Sequence, residues 1–471
     1  RLHDEGFRFL EATHEHGKTA TAVGHATLST GVYPSRSGIV GNSWLERAGG
    51  EWRSVYSVGD TLSHILGLPN MEGRSPRNLL RGGLADWVME ADSGAIVVSV
   101  SRKDRAAVTM SGKAKGHTYW IAEDEGRFVT SSFYADRYPD WVERINREEM
   151  PRIFGDSIWE QTIDEAHRDA SRPDTATYEA DGVHTHFPHR FYEEASDPDH
   201  RAALNRWAYG LAYPDAAVGV FAMEAVESLG IGQDEQLDFL ALAFSQTDAV
   251  GHDFGPRSRE QLQNLLHLDE VLGQLMIFLD AVVGEGRWVM ALTGDHGVLD
   301  IPEYLQETGS VGRRASREEL SQLREVFERH RGVEGVPQDI ADSLISSLEA
   351  LPFVEDALSV AELTTPPPPD SFAVLIRNSY HPDRWIGGFG SEGSGVLFRF
   401  PEAYYPDPSP HGTGHGSPYY YDRHVPLIFL GPGVSPGVSE RPVRTVDVAP
   451  TLAKLAGIPA PPDLDGAPIM K

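Results

Sequence analysis

An α/β fold with a doubly wound, mostly parallel central sheet, helices on both faces and a smaller inserted subdomain is what three features of this 471-residue sequence predict. Apolar runs of strand length recur at 95–100, 237–244, 287–292 and 425–430, and they are continuous rather than alternating. Continuous runs mark strands buried on both faces, as in a parallel sheet between helices. Helical patterns intervene at 201–211 and 259–283; in the second, Leu262, Leu265, Leu266, Leu268, Val271, Leu272, Leu275 and Leu279 keep a 3.6-residue rhythm. Three runs also end in polar residues: Ser101-Arg102-Lys103-Asp104-Arg105, Ser245-Gln246-Thr247-Asp248 and Thr293-Gly294-Asp295-His296. Ligands gather at the carboxyl ends of strands in such folds.

Taken in order, residues 1–13 read as a helix. The chain opens on Arg1 with no basic-then-apolar leader, so it reads as one whose leader has been removed or that begins inside its gene. Residues 1–299 are expected to form the first part of the core, with 112–200, rich in Trp, Tyr, His and Asp, supplying substrate-side loops. An insertion is expected at 300–369, made of a charged helix at 316–331, a second helix at 338–351 and a proline-rich run at 364–369. Residues 370–471 complete the core. No internal repeat interrupts this order.

Composition removes several classes of function. Lys+Arg 41 against Asp+Glu 70 leaves a formal charge of −29, the wrong sign for a nucleic-acid binder, which must neutralise phosphates. No apolar stretch approaches the ~20 residues of a membrane span. Hydrophobic residues at 40% and charged residues at 24% suit a globular chain with a large core. Cysteine is absent, so disulfides and thiolate chemistry are excluded and any metal must be held by His, Asp or Glu.

Asp248 and His252 stand four positions apart just beyond a buried run, a spacing that lets both reach one cation. Asp295 and His296 are adjacent, and both can serve only at a strand end where two sites lie close together. His415 sits in the Gly-rich loop 411–418, where glycine permits close backbone approach, with His411 as the competing choice. Each has a plain structural reading as a surface acid, a helix cap or a loop histidine. Together, Asp248, His252, Asp295, His296 and His415 form a cysteine-free N/O set of the sort that holds zinc. The run 19–31 holds a candidate nucleophile, a hydroxyl at a helix start, although a threonine before a helix is most often only a cap.

The segment Thr21-Ala22-Val23-Gly24-His25, followed by Thr30-Gly31, Pro34, Gly38-Ile39 and Gly41-Asn42, resembles the nucleophile block of the alkaline phosphatase superfamily. Within it, the chain is similar to the phosphate-irrepressible, single-domain alkaline phosphatases related to nucleotide pyrophosphatases/phosphodiesterases. Further blocks fall in the family's order at 101–105, 247–256, 293–298 and 415–418, and again at 126–133, 378–382 and 445–452. The resemblance covers essentially the whole chain.

The resemblance implies a zinc-dependent phosphate monoester hydrolase with two Zn2+. Asp248, His252 and His415 would bind one ion, and Asp295, His296 and the Thr21 oxygen the other. Paired ions ~3.5–4 Å apart stabilise the attacking and leaving oxygens of an in-line displacement. Thr21 would form a phosphothreonine, which water activated on the first zinc would hydrolyse. Asn42 would donate to a nonbridging phosphoryl oxygen. Lys103 and Arg105 would bind the free oxygens of a dianionic monoester, and their attraction must be local, since charge is screened beyond ~8–10 Å. The family also begins with a buried strand ending in an Asp ligand; this chain does not show it, and Asp4 lies in a polar helical context that does not fit the role. A phosphodiesterase or nucleotide pyrophosphatase, and a noncatalytic phosphate-ester binder, are the competing readings. The resemblance further implies a periplasmic or extracellular location and small-molecule phosphate monoesters as substrates. No feature of the sequence sets an oligomeric state.

Overall fold

The computed structural model describes the chain apart from residues 192–198, 330–337, 367–369, 386–394 and 471. The far end of the charged helix expected at 316–331 and half of the proline-rich run 364–369 therefore lie outside the described residues.

Two sheets form the centre. The first runs in the order Phe239–Ala243, Val97–Ser101, His117–Ala122, Arg127–Val129, with the first three parallel and the last antiparallel. Every residue of Val97–Ser101 is buried, Ser99 and Ser101 along with the three valines, as a strand covered on both faces requires. The second runs Met290–Thr293, His424–Leu430, Phe7–Thr13, Gly437–Ser439, with Val443–Arg444 also pairing with Phe7–Thr13. It is mixed: His424–Leu430 is antiparallel to both neighbours, while Gly437–Ser439 and Val443–Arg444 run parallel to Phe7–Thr13. The expected parallel order thus holds in the first sheet and not in the second.

Among the described residues, Phe239–Ala243 and Met290–Thr293 have strand partners on one edge only. Their residues are mostly half-buried rather than enclosed. Phe244, just past the first strand, and Met290 and Leu292 of the second join Leu272 and Met276 of the long helix Arg259–Leu279, with Leu430, in one apolar cluster.

The helix expected over 1–13 is a correction. Only Leu2–Glu5 is helical, and Phe7–Thr13 is a strand. A Cβ at Gly6 would come within 2.5 Å of the Leu2 carbonyl oxygen and 2.8 Å of Ile428, so the chain turns there into the sheet. Phe7 and Phe9 then enter a cluster with Val425, Leu427 and Phe429 of the neighbouring strand, and that burial outweighs the helical tendency of the acidic start.

Helix Tyr213–Leu229 covers the first sheet. Its Phe221 is fully buried among Tyr119, Phe128 and Trp141, with ring centroids 4.4–5.0 Å away. A methyl group at Gly219 would stand 2.7 Å from Val271, so glycine sets how closely this helix approaches Arg259–Leu279. The charged helix Arg317–Arg329 and the helix Gln338–Glu349 lie beside the antiparallel pair Asp356–Ser359 and Val396–Arg399. Val326, Leu344, Leu348, Phe353, Phe398 and Tyr404 form the separate core of this unit.

Two hairpins stand between residues 43 and 74. Ser43–Ala48 pairs with Glu51–Tyr56 across Gly49-Gly50, whose φ values of +63° and +89° are those a tight two-residue turn demands. Gly59–Ile65 pairs with Leu68–Arg74. Among the described residues no helix is long and apolar enough to cross a membrane.

Candidate active site

Strand Phe239–Ala243 runs into helix Gln246–Phe254, so Asp248 and His252 emerge one helical turn apart on a single face. Met290–Thr293 ends at Gly294, which places Asp295 and His296 beside them, and the loop before His424–Leu430 brings His415. Asp248 Oδ1 lies 3.2 Å from His252 Nε2, 3.2 Å from His415 Nε2 and 3.8 Å from His296 Nε2. Asp295 Oδ2 lies 3.3 Å from His296 Nε2 and 3.3 Å from His25 Nδ1. The structure thus brings all five expected metal ligands together. Asp248, His252 and His415 form the one group of three His or acidic side chains with metal-ligand spacing among the described residues.

The donor chemistry fits a cation. Each ring is fixed from behind by a carbonyl: Nδ1–H of His252 donates to Thr413 O at 2.8 Å, that of His415 to Thr19 O at 2.7 Å, and that of His296 to Gly297 O at 2.9 Å. A carbonyl can only accept, so each Nδ1 carries the proton and each Nε2 can turn a lone pair toward the carboxylates. His296 Nε2 is buried with no hydrogen-bond partner among the described residues, and burial pushes its pKa down to about 3, which keeps it neutral. Lone pairs facing carboxylate oxygens repel unless a positive ion lies between them. Asp248, His252 and His415 have the spacing to hold a metal ion, and Asp295 and His296 stand beside them.

Thr21 is the first residue of helix Thr21–Thr30, and 2% of its surface is exposed. Its helix is set directly against the second ligand pair. A Cβ at Gly24 would fall 1.9 Å from the Asp295 carbonyl oxygen, so only glycine fits. His25 Nδ1, 2.8 Å from Thr21 O and 3.3 Å from Asp295 Oδ2, ties the two segments together. Asn42 Oδ1 accepts from the Ala22 N–H at 2.9 Å, which leaves its amide nitrogen free to donate.

Lys103 and Arg105 flank Asp104 where strand Val97–Ser101 passes into helix Asp104–Met110. Lys103 is 8% exposed and its Nζ contacts Asp248 Oδ2. Burial lowers the lysine's pKa and the carboxylate opposes that shift. Arg105 lies beside it, in contact with the Tyr56 hydroxyl. His411, the alternative to His415, stands instead by Gly182, where a Cβ would meet its Nε2 at 2.3 Å.

Several supporting groups lay beyond local sequence reasoning. His14 Nε2–H donates to Gly294 O at 3.0 Å while its Nδ1 accepts from Thr445 Oγ1 at 2.9 Å, bracing the residue before Asp295. Asp422 Oδ2 takes the N–H groups of Gly416 and Ser417 and the Ser417 hydroxyl, clamping the turn after His415. Ser379 Oγ accepts from Gly17 N, and Asn378 Nδ2 donates to Glu15 O at 2.6 Å, steadying the approach to Thr21. The blocks at 378–382 and 445–452 were visible as a resemblance; the contacts that explain them join positions hundreds of residues apart.

Fold and site together define a class of metal-assisted phosphate-ester enzyme. The Type I phosphodiesterase / nucleotide pyrophosphatase family model matches residues 1–385, and the chain belongs to that family. Alkaline phosphatase PhoV of Synechococcus elongatus is 29% identical, over 98% of this chain and 85% of that protein. Alkaline phosphatase PafA of Elizabethkingia meningoseptica is 27% identical, over 100% of this chain and 88% of that one. The crystal structure of wild-type PafA superposes with a TM-score of 0.88 at 26% identity, covering 100% of this chain and 92% of the other, and establishes an alkaline phosphatase-like fold.

Proposed function

We propose that the protein is a zinc-dependent phosphate monoester hydrolase of the alkaline phosphatase type, acting through a phosphothreonine at Thr21. The observation that carries this is the convergence of Asp248, His252, Asp295, His296 and His415, with outward-fixed Nδ1 atoms, beside the start of the Thr21 helix. Relatives spanning nearly the whole chain are named alkaline phosphatases, which supports the same reading. Two zinc ions held by these side chains and the Thr21 oxygen would supply charge neutralisation and acidify the groups bound to them.

The chain's own residues account for the rest. The Thr21 hydroxyl loses its proton to solvent and its oxygen attacks phosphorus as the bond to the ester oxygen breaks, and the leaving alcohol departs with a proton drawn from solvent. Water then cleaves the phosphothreonine, restoring the hydroxyl and releasing inorganic phosphate. The Asn42 amide donates to one nonbridging oxygen, and the first turn of helix Thr21–Thr30 adds its positive end. Lys103 and Arg105 bind the remaining oxygens, which a monoester offers and a diester partly blocks. All these side chains come from residues 1–299 and 370–471, the catalytic core in this reading; 300–369, the inserted subdomain, contribute none. Small phosphate monoesters outside the cytoplasm, in the periplasm or medium, are the proposed substrates.

The family's description favours a second reading, a phosphodiesterase or nucleotide pyrophosphatase. Two measurements test the choice. Thr21→Ala should abolish the trapped phosphoenzyme while the Asp248, His252 and His415 group keeps its zinc. On the zinc-loaded enzyme, kcat/KM for an aryl phosphate should exceed that for the bis-aryl diester, and removing Lys103 and Arg105 together should depress the first far more than the second. A clear diester preference, or equal losses, would defeat the monoesterase.

A further inference from the structure

Lys103 and Arg105 leave one turn but meet different surroundings. Lys103 contacts Asp248, whereas among the described residues Arg105 forms no ion pair with a carboxylate. Asp104 is next to it in the chain and is the obvious partner. Other donors occupy it. Tyr56 Oη–H donates to Asp104 Oδ1 at 2.6 Å, Arg74 Nε–H to Oδ2 at 2.6 Å, and the Arg105 backbone N–H to Oδ1 at 2.7 Å. The Arg74 guanidinium carbon also stands 5.0 Å from the centre of the Tyr56 ring. Tyr56 and Arg74 are the last residues of the two hairpins, Glu51–Tyr56 and Leu68–Arg74, which lie outside both central sheets.

We propose that Tyr56 and Arg74 are positioning residues for the arginine that binds phosphate: by holding both oxygens of Asp104, they leave the Arg105 guanidinium directed at the substrate. A guanidinium folded onto its neighbouring carboxylate would have to break charge-assisted hydrogen bonds before taking a phosphoryl group. The benefit falls on dianionic monoesters, whose unblocked oxygens use the planar donor fork, and less on diesters. The inference deepens the proposed function and rests on Arg105 being a phosphoryl-binding cation.

The test is kcat/KM of the zinc-loaded enzyme for an aryl phosphate and its bis-aryl diester, measured for Tyr56→Phe and Arg74→Gln in the natural and Arg105→Ala backgrounds. Each single change is expected to lower monoester kcat/KM about tenfold, mainly through KM, the scale of one hydrogen bond to a charged group. Diester kcat/KM should fall far less, Arg74→Lys should recover part of the loss, and neither change should matter once Arg105 is alanine. Equal losses on both substrates, or a loss that persists in the Arg105→Ala background, would overturn the proposal. The variants sit on separate hairpins, so thermal unfolding of one leaves the other to decide. A natural enzyme that prefers the diester would sink the monoesterase reading itself; an unchanged substrate ratio in both variants of an enzyme that prefers monoesters would sink only this positioning role.

Discussion

The imidazole rings of His296 and His415 stack face to face, with centroids 3.5 Å apart and planes within 15° of parallel. Each belongs to a different expected zinc group, so the two groups share a wall. Asp248 Oδ1 adds to the link, lying 3.2 Å from His415 Nε2 and 3.8 Å from His296 Nε2. Ligands packed in this way cannot be disturbed one at a time.

His415→Ala should therefore weaken both ions rather than one. It removes a donor from the first group and also the surface that orients His296 for the second. Supporting contacts of this kind are worth about 10–100-fold in metal affinity. Elemental analysis after equilibration with buffered zinc is the check. Loss of one ion with the second bound at its original affinity would show the groups to be independent.

Gly24→Ala probes a different constraint. The added methyl would lie 1.9 Å from the Asp295 carbonyl oxygen and 2.6 Å from the carbon that bears it, backbone atoms with no rotamer to move. Either helix Thr21–Thr30 or the Asp295 segment must shift, which separates the nucleophile from the second ligand pair. Overpacking of this sort costs roughly 1–3 kcal/mol or more. The expected result is a lower unfolding midpoint together with a loss of phosphatase activity larger than the stability change explains, since misplacement near 1 Å can cost about 100-fold. Full activity in the alanine variant would remove the close approach from the account.

What could be read from the chain alone divides along physical lines. Asp248 and His252 were legible because a helical spacing is local, and Val97–Ser101 because a strand enclosed on both faces is rich in valine and carries no charge. Phe7–Thr13 was misread because its tendency is settled by Phe429 and Leu427, which are far away in sequence. Half-burial of Met290–Thr293 had no signal, since the sequence cannot say which edge of a strand is paired. Tyr56, Arg74 and His14 carried no pattern either; each acts through one hydrogen bond to a residue that another segment supplies.

Asp215 offers a prediction about pH and stability that is separate from the metal ligands. It is fully buried, and desolvation raises its pKa to about 7, against the partial opposition of the Gln246 N–H, 3.3 Å from Oδ1, and of Arg102. Among the described residues its Oδ2 takes no hydrogen bond of good geometry. The folded value lies above the unfolded one, so between about pH 4 and pH 7 the native state holds a proton that the unfolded chain has released. The contribution of Asp215 to stability should accordingly fall as pH rises through that window and level off above it, by up to about 4 kcal/mol for a shift of this size. Asparagine in this place keeps the carbonyl acceptor and cannot ionise. Asp215→Asn should match the wild type near pH 4.5 and exceed it at pH 8, in unfolding midpoints measured at equal zinc loading. A constant difference between the two proteins across the range would mean that Asp215 is already ionised in the fold.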